Sequence, residues 1–212
     1  MASTSATCLR HTDWLSAAGN LTPLVGVLAL QGDFREHQQT LAAIDVESIQ
    51  VRTVSELQRC DGLIIPGGES TVVQKLAVAF DLFEPLSSAI SAGLPTFGTC
   101  AGLIMLADEI IDGIEGQKGF GGLDIAVRRN AFGNQLDSFE EDLSFKGIDS
   151  PVHAAFIRAP IVERVGDGVE VLSQLPDGRI VAVRQKNLLG ISFHPEVTGE
   201  NRVHRLFVES IL

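Results

Sequence analysis

Three short runs of the chain, residues 24–30, 63–65 and 94–97, are mostly apolar, and each stops at a glycine-bearing turn. The turns are Gln31-Gly32-Asp33, Pro66-Gly67-Gly68 and Gly98-Thr99-Cys100-Ala101-Gly102. A strand with one wet face alternates apolar and polar residues, whereas a nearly continuous apolar run suits a strand covered on both faces. Helical segments are predicted between them. Residues 35–44 and 82–92 read as helices, and from Ser70 the residues Val72, Val73, Leu76, Ala77 and Phe80 mark one inward face. Residues 48–52 read as a further strand, and residues 103–107 continue as helix after the Cys100 turn. Strand and helix alternating at this spacing imply an α/β fold, a parallel sheet with helices on both faces.

The second half is richer in strands, predicted at 123–128, 154–157, 169–173, 180–184 and 189–193, with Pro176-Asp177-Gly178 as a hairpin turn and a final helix over about 200–211. The expected fold is therefore one domain over 23–212 with a mixed, largely parallel sheet of flavodoxin-like kind. Residues 1–22, rich in Ser, Thr and Ala, read as an N-terminal extension. Arg10, His11 and Asp13 interrupt the apolar run that a secretory signal would need.

Composition narrows the function. Of 212 residues, 16 are Lys or Arg and 27 are Asp or Glu, a net charge of −11. Such a chain lacks the clustered cations that nucleic-acid backbones require. No apolar run reaches the ~20 residues of a membrane span. Cys8, Cys60 and Cys100 lack zinc-site spacing and make a poor disulfide framework. A reducing cytoplasm suits them. Neither metal nor cofactor is called for.

Cys100 has a distinctive setting. Gly-x-Cys-x-Gly between a strand and a helix is the cysteine form of the nucleophile elbow. The glycines allow a tight turn that lifts the central side chain above the sheet edge. The helix N-terminus behind it favours thiolate, the attacking species. A thiolate that cleaves an amide needs a proton donor for the departing nitrogen, and histidine fits near neutral pH. Among His11, His37, His153, His194 and His204, only His194 leaves a buried strand with a carboxylate two residues on, in His194-Pro195-Glu196. Glu196 can orient one ring nitrogen while the other faces sulfur. His37 and His204, on predicted helices, read as solvated or partly buried. His153 fits either a surface or a site role.

At Pro66-Gly67-Gly68-Glu69-Ser70 a buried strand opens into a helix. Free backbone N–H groups at Gly67 and Gly68, with that of Ala101, can stabilise an oxyanion. Glu69 and Ser70 suit the charged end of an amino acid. A phosphate loop is disfavoured, because no Gly-Lys-Ser/Thr follows and Glu69 would repel phosphate. Ser70 is also a candidate helix cap.

Together with Gly26 to Gly32, Arg129-Asn130-Ala131-Phe132-Gly133, Ser138-Phe139-Glu140 and Phe156-Ile157-Arg158-Ala159-Pro160, these motifs resemble the class I, triad-type glutamine amidotransferases. Within them they look like the glutaminase subunits of pyridoxal 5′-phosphate synthase, over about residues 24–210. The resemblance implies a triad of Cys100, His194 and Glu196. It also implies a glutamine site of Gly68, Glu69, Ser70, Arg129, Ile157 and Arg158. An arginine there makes physical sense, since its planar fork binds carboxylates bidentately. The implied partner is a (β/α)₈-barrel synthase subunit that uses ribose 5-phosphate, glyceraldehyde 3-phosphate and the released ammonia, in a 12+12 complex. The competing readings are another triad amidotransferase, a γ-glutamyl hydrolase, or a silent docking subunit.

Overall fold

The computed structural model describes residues 22–129, 131 and 138–212. The chain begins β1 (Val25–Leu28), α1 (Phe34–Ala42), β2 (Ser48–Val51), α2 (Val54–Leu57), β3 (Gly62–Ile65). It continues α3 (Ser70–Ala79), α4 (Phe83–Ser91), β4 (Thr96–Thr99), α5 (Ala101–Leu106), β5 (Ala107–Ile111), β6 (Leu123–Arg128). After these come β7 (Phe139–Phe145), β8 (Ile148–Phe156), β9 (Ile161–Val165), β10 (Glu170–Gln174), β11 (Ile180–Gln185), β12 (Leu188–Ile191), α6 (Pro195–Thr198) and α7 (Arg202–Glu209). The fold is mixed α/β, as the strand and helix alternation implies. Residues 1–21 of the predicted extension, and Asn130, Phe132 and Gly133 of one motif, lie outside the described residues.

A 10-stranded sheet runs β2-β1-β3-β4-β12-β11-β9-β6-β5, with β10 paired to β11 off this path; β7 and β8 form a separate ladder. From β2 to β12 the neighbours are all parallel. The other half turns antiparallel at β11, β9 and β10, and β5 and β6 are parallel again. The Pro176-Asp177-Gly178 turn does join a hairpin, β10 to β11, closed by Leu175 N–H donating to Arg179 O at 2.9 Å.

Residues of β3 alternate between two cores. Ile64 packs with Phe97, Phe156 and Phe207 on one face. Leu63 and Ile65 pack with Leu86, Leu103 and Met105 on the other. A strand covered on both sides has no place for a polar side chain, which is why its sequence is a continuous apolar run. The carboxyl ends of β1, β3, β4 and β12 share one edge of the sheet, the usual place for a ligand crevice in such folds.

Some local expectations fail. On α3 only Val73 and Ala77 of the predicted inward face are buried, while Val72 and Phe80 are exposed. The helix lies over its sheet along a narrower stripe than five apolar positions suggest. Strands β5, β7 and β9 and helices α2 and α6 were not foreseen. Among the described residues no helix is long and apolar enough to cross a membrane.

Candidate active site

Cys100 ends the crossing from β4 to α5 with φ 49°, ψ −101°, a conformation that L-residues seldom adopt. Its neighbours explain how the turn survives. A Cβ on Gly98 would lie 2.5 Å from the Gly102 carbonyl carbon, and one on Gly102 would lie 2.0 Å from Ile65 O. Only glycine fits at either place, so the Gly-x-Cys-x-Gly spacing follows from packing against β3 and the next turn. Cys100 N–H donates to Ile191 O at 2.8 Å, which ties the elbow to the end of β12.

That same strand end delivers His194, whose backbone N–H donates to Ala155 O at 2.9 Å. Pro195 opens α6, and Glu196 in its first turn reaches back so that Oε1 lies 2.8 Å from His194 Nδ1. Cys100, His194 and Glu196 are all buried, at 6, 4 and 7% exposure. Burial alone would discourage a charged imidazole. The nearby Cys100 sulfur and the Glu196 carboxylate overcome it, and His194 is pushed up to about 10. Gly67 packs on the ring: a Cβ there would meet His194 Cε1 at 2.3 Å.

A cleft of about 370 Å³ opens over Cys100 and His194, and Gly68, Glu69, Ser70, Arg129, Ile157 and Arg158 all line it. The predicted residues thus come together, from β3, β6, β8 and their loops. Ala101 is buried at the first turn of α5. The Gly67 carbonyl accepts a long hydrogen bond from Asp33 N–H, 3.4 Å, and Gly68 sits at φ +146°, where a Cβ would meet the Gln31 side chain.

Several details depart from the sequence reading. The cap of α3 is Glu69, whose carboxylate accepts from Thr71; Ser70 is the first helical residue and is buried. Glu69 Oε1 also accepts from Arg129 Nη2 at 2.8 Å. Arg129 Nη1 donates to Gln117 Oε1 at 2.8 Å, and Gln117 Nε2 donates to Ser70 Oγ at 3.0 Å. Gln117 therefore ties two cleft residues, Arg129 and Ser70, together, yet nothing in its surroundings in the sequence marks it. Arg158, at φ 47°, is exposed and has no ion pair among the described residues.

Asp33, which the sequence marks only as part of a turn, also borders His194. Its carboxylate lies 3.6 Å from His194 Nδ1, and burial raises its pKa against the opposing pull of His194. Asp33, His194 and Glu196 offer ligand atoms within 4.8 Å of one another. A ring held protonated has no lone pair for a metal, so the cluster reads as an ion-pair site.

The histidines diverge most from expectation. His37 and His204 are wholly buried, not solvated. Their rings meet at 2.9 Å, Nδ1 to Nε2, and His37 Nε2 lies 3.1 Å from Thr99 Oγ1. His153 sits on exposed β8, paired across the ladder with Glu140 and Asp142, away from the cleft.

The family model of the SNO glutamine amidotransferases matches residues 27–212. Among similar proteins, a pyridoxal 5'-phosphate synthase subunit PdxT from Nocardioides sp. is 59% identical over 193 residues, covering 89% of this chain and 96% of its own. The PdxT of Leifsonia xyli subsp. xyli is 58% identical over 191 residues, covering 90% and 96%. A crystal structure of a glutamine amidotransferase matches with 48% identity and a TM-score of 0.83, covering 88% of this chain and 98% of that one.

Proposed function

This chain belongs to the SNO glutamine amidotransferase family, and on that premise we propose that it is the glutaminase subunit of a pyridoxal 5′-phosphate synthase. It hydrolyses L-glutamine and passes the ammonia to a synthase partner. The observation that carries this reading is Cys100, held at φ 49° on an elbow and sharing one cleft with a His194 that Glu196 holds at 2.8 Å.

The chemistry runs through these three side chains. The Cys100 thiolate attacks the side-chain carboxamide carbon of glutamine, and the carbonyl π electrons move onto oxygen. Backbone N–H groups of Ala101 and the Gly67-Gly68 turn donate hydrogen bonds to that oxyanion. As sulfur becomes bonded, its charge no longer supports protonated His194, so the imidazolium becomes a stronger acid. It protonates the nitrogen, the C–N bond breaks, and ammonia leaves a γ-glutamyl thioester. Neutral His194 then takes a proton from water, the hydroxide attacks the thioester carbon, and the C–S bond breaks. Glutamate departs, with thiolate and imidazolium restored.

Glutamine enters as a zwitterion, and the cleft holds a matched pair for its two charges, Glu69 and Arg129 at 2.8 Å. The α-amino group takes the Glu69 side and the α-carboxylate takes the arginines, with Arg158 free to add a second cation. Gly68, Ser70 and Ile157 wall the rest. The partner is a (β/α)₈-barrel subunit, in a 12+12 complex in the reducing cytoplasm. It regulates the oxyanion site by turning the Gly67-Gly68 peptide, which the single long bond to Asp33 holds loosely. Gly68→Ala blunts that response, since its Cβ would lie 2.3 Å from Gln31 Oε1.

The test is ammonia release from glutamine by the full chain, alone and with the barrel subunit. Low activity alone, a large gain with partner, and none for Cys100→Ala are expected. Turnover by Cys100→Ala, or a binding partner that changes nothing, would overturn the reading.

A further inference from the structure

Behind the cleft lies a polar chain that no step above uses. His37 on α1 and His204 on α7 are 167 residues apart in sequence, yet their rings meet at 2.9 Å in a wholly buried site. Phe97 packs at both, with ring centroids 6.3 and 5.4 Å away and near-perpendicular planes. Two apolar side chains would fill this space without the desolvation that two imidazoles cost. The chain leads somewhere: His37 Nε2 lies 3.1 Å from Thr99 Oγ1, beside the nucleophile, and 3.7 Å from Glu196 Oε1. Glu196 needs such a neighbour. Its side chain is wholly buried, His194 is its one close contact, and its Oε2 has no hydrogen-bond partner among the described residues.

We propose that His37 is a positioning residue for Glu196, a neutral imidazole whose Nε2–H faces the carboxylate and whose tautomer is set by His204. This rests on the triad reading above. The protonation pattern follows from the charges. One arrangement has His204 Nε2–H donating to His37 Nδ1, with His37 Nε2–H turned to Thr99 and Glu196. The other puts the His204 proton on Nδ1, which has no hydrogen-bond partner among the described residues, and it aims a bare nitrogen lone pair at the carboxylate. Contacts with a charged partner are roughly twice as strong as neutral ones, so Glu196 selects the first. His37 itself stays uncharged, because burial, then His204 and His194, hold its pKa well below the usual histidine value.

The role matters most halfway through turnover. After His194 has given its proton to ammonia it no longer balances Glu196. A buried carboxylate facing only neutral ring atoms would rotate away and leave His194 misaligned for the water step. The His37 dipole keeps it in place. The titratable groups facing His37 are Glu196 and His194 from the β12–α6 corner and His204 from α7, with Thr99 from β4.

The experiment compares His37→Gln with His37→Asn in the full chain, assayed with its partner. The glutamine amide can put an N–H where Nε2 was, whereas the asparagine amide reaches only towards His204. His37→Asn is expected to lower kcat roughly 10- to 100-fold, the size that a hydrogen bond to a charged group carries, with KM for glutamine within about twofold. His37→Gln is expected to recover most of kcat. A second readout is the pH dependence of Cys100 alkylation in a Cys8→Ser background. Cys60 stays silent there, its thiol pushed up to about 11 by burial. The alkylation midpoint is expected to rise in His37→Asn and not in His37→Gln. Equal kcat and equal midpoints in the two variants would overturn the proposal. Should His37→Asn not fold, His204→Leu tests the same chain: kcat falls several-fold with a raised midpoint, or is unchanged and the proposal fails. If Cys100→Ala still hydrolyses glutamine, the triad reading itself is lost. If it is dead while His37→Asn matches His37→Gln, only the role of His37 is lost.

Discussion

Cys100 divides the site into a dry side and a wet side. On the dry side His194, Glu196, Thr99, His37 and His204 are all buried and linked by contacts of 2.8 to 3.7 Å. On the wet side Glu69, Arg129, Gln117 and Arg158 line or edge an open cleft. The two sides use charge differently. In the dry region an unpaired charge is expensive, so proton positions are dictated by neighbours and pKa values move far: His194 up to about 10, His204 down to about 4. In the wet region the Glu69 carboxylate is 47% exposed, so its pair with Arg129 is screened and can exchange for a ligand's charges. Chemistry needs the first property and substrate capture the second.

The comparison breaks most readily at His194. His194→Asn is expected to lower kcat by roughly 10²–10⁴-fold, the usual contribution of a general acid–base group, with little change in glutamine affinity. Glu196→Gln, which keeps the shape and loses the charge, is expected to lower it less. Steady-state ammonia release with the partner present measures both. A fully active Glu196→Gln would move the orienting role elsewhere, and Asp33, 3.6 Å from the same nitrogen, is the next carboxylate to try.

Stability against pH tests the dry side without any assay of activity. His204 titrates at about 4 when folded and near 6.5 when unfolded. The unfolded chain therefore binds the extra proton first, and stability falls as pH drops from about 6.5 to 4, by at most about 3 kcal/mol for this group. His194 has the opposite sign. Its raised pKa contributes stability that is complete below about 6.5 and lost as pH rises towards 10. Urea midpoints for wild type and His204→Gln should converge towards pH 4 if burial of a neutral imidazole is what acid undoes. Parallel curves would count against it.

How much of this was legible without coordinates differs between the two sides. The strands β1, β3 and β4, and the turns that end them, could be read because a strand covered on both faces writes itself as an apolar run closed by glycine. Cys100 followed, since it sits in such a turn, and His194 and Glu196 followed because the apolar run of β12 ends at His194-Pro195-Glu196. His37 and His204 did not. Each is a polar residue on an amphipathic helix, and burial comes only when α1 and α7 pack together across Phe97. Strand β7 sets Phe139, Leu143 and Phe145 on one face, but Glu141 falls on that face too, so three acids in a row blur the period of two in the sequence. β5 follows α5 with no breaking residue between them, so no local signal marks the change.

On the wet side the larger expected effect is at Arg129. Arg129→Ala removes the cation that faces Glu69 and leaves that carboxylate to repel the α-carboxylate of glutamine. Calorimetry on a Cys100→Ala background is expected to show glutamine bound roughly tenfold or more weakly, as for loss of a charged hydrogen bond. Unchanged affinity in both Arg129→Ala and Arg158→Ala would mean that recognition lies elsewhere.

The smallest expected effect, and the sharpest probe of the wet side, is at Gln117. Its amide oxygen accepts from Arg129 and from Ile114 N–H, and its amide nitrogen donates to Ser70. It touches the reacting groups nowhere, so what it supplies is alignment of Arg129 and Ser70. Gln117→Leu keeps much of the side-chain volume and loses all three bonds. The two neutral bonds are worth about 0.5–1.5 kcal/mol each and the one from the Arg129 guanidinium about 1.5–3 kcal/mol, and water can replace part of each at an open cleft. KM should therefore rise by a few-fold while kcat, set on the dry side, stays level. The double variant decides the mechanism. If Gln117 acts through Arg129, adding Gln117→Leu to Arg129→Ala should change KM little further, a coupling that two independent contacts would not show. A drop in kcat with unchanged KM would instead mean that the two sides of Cys100 are not separable.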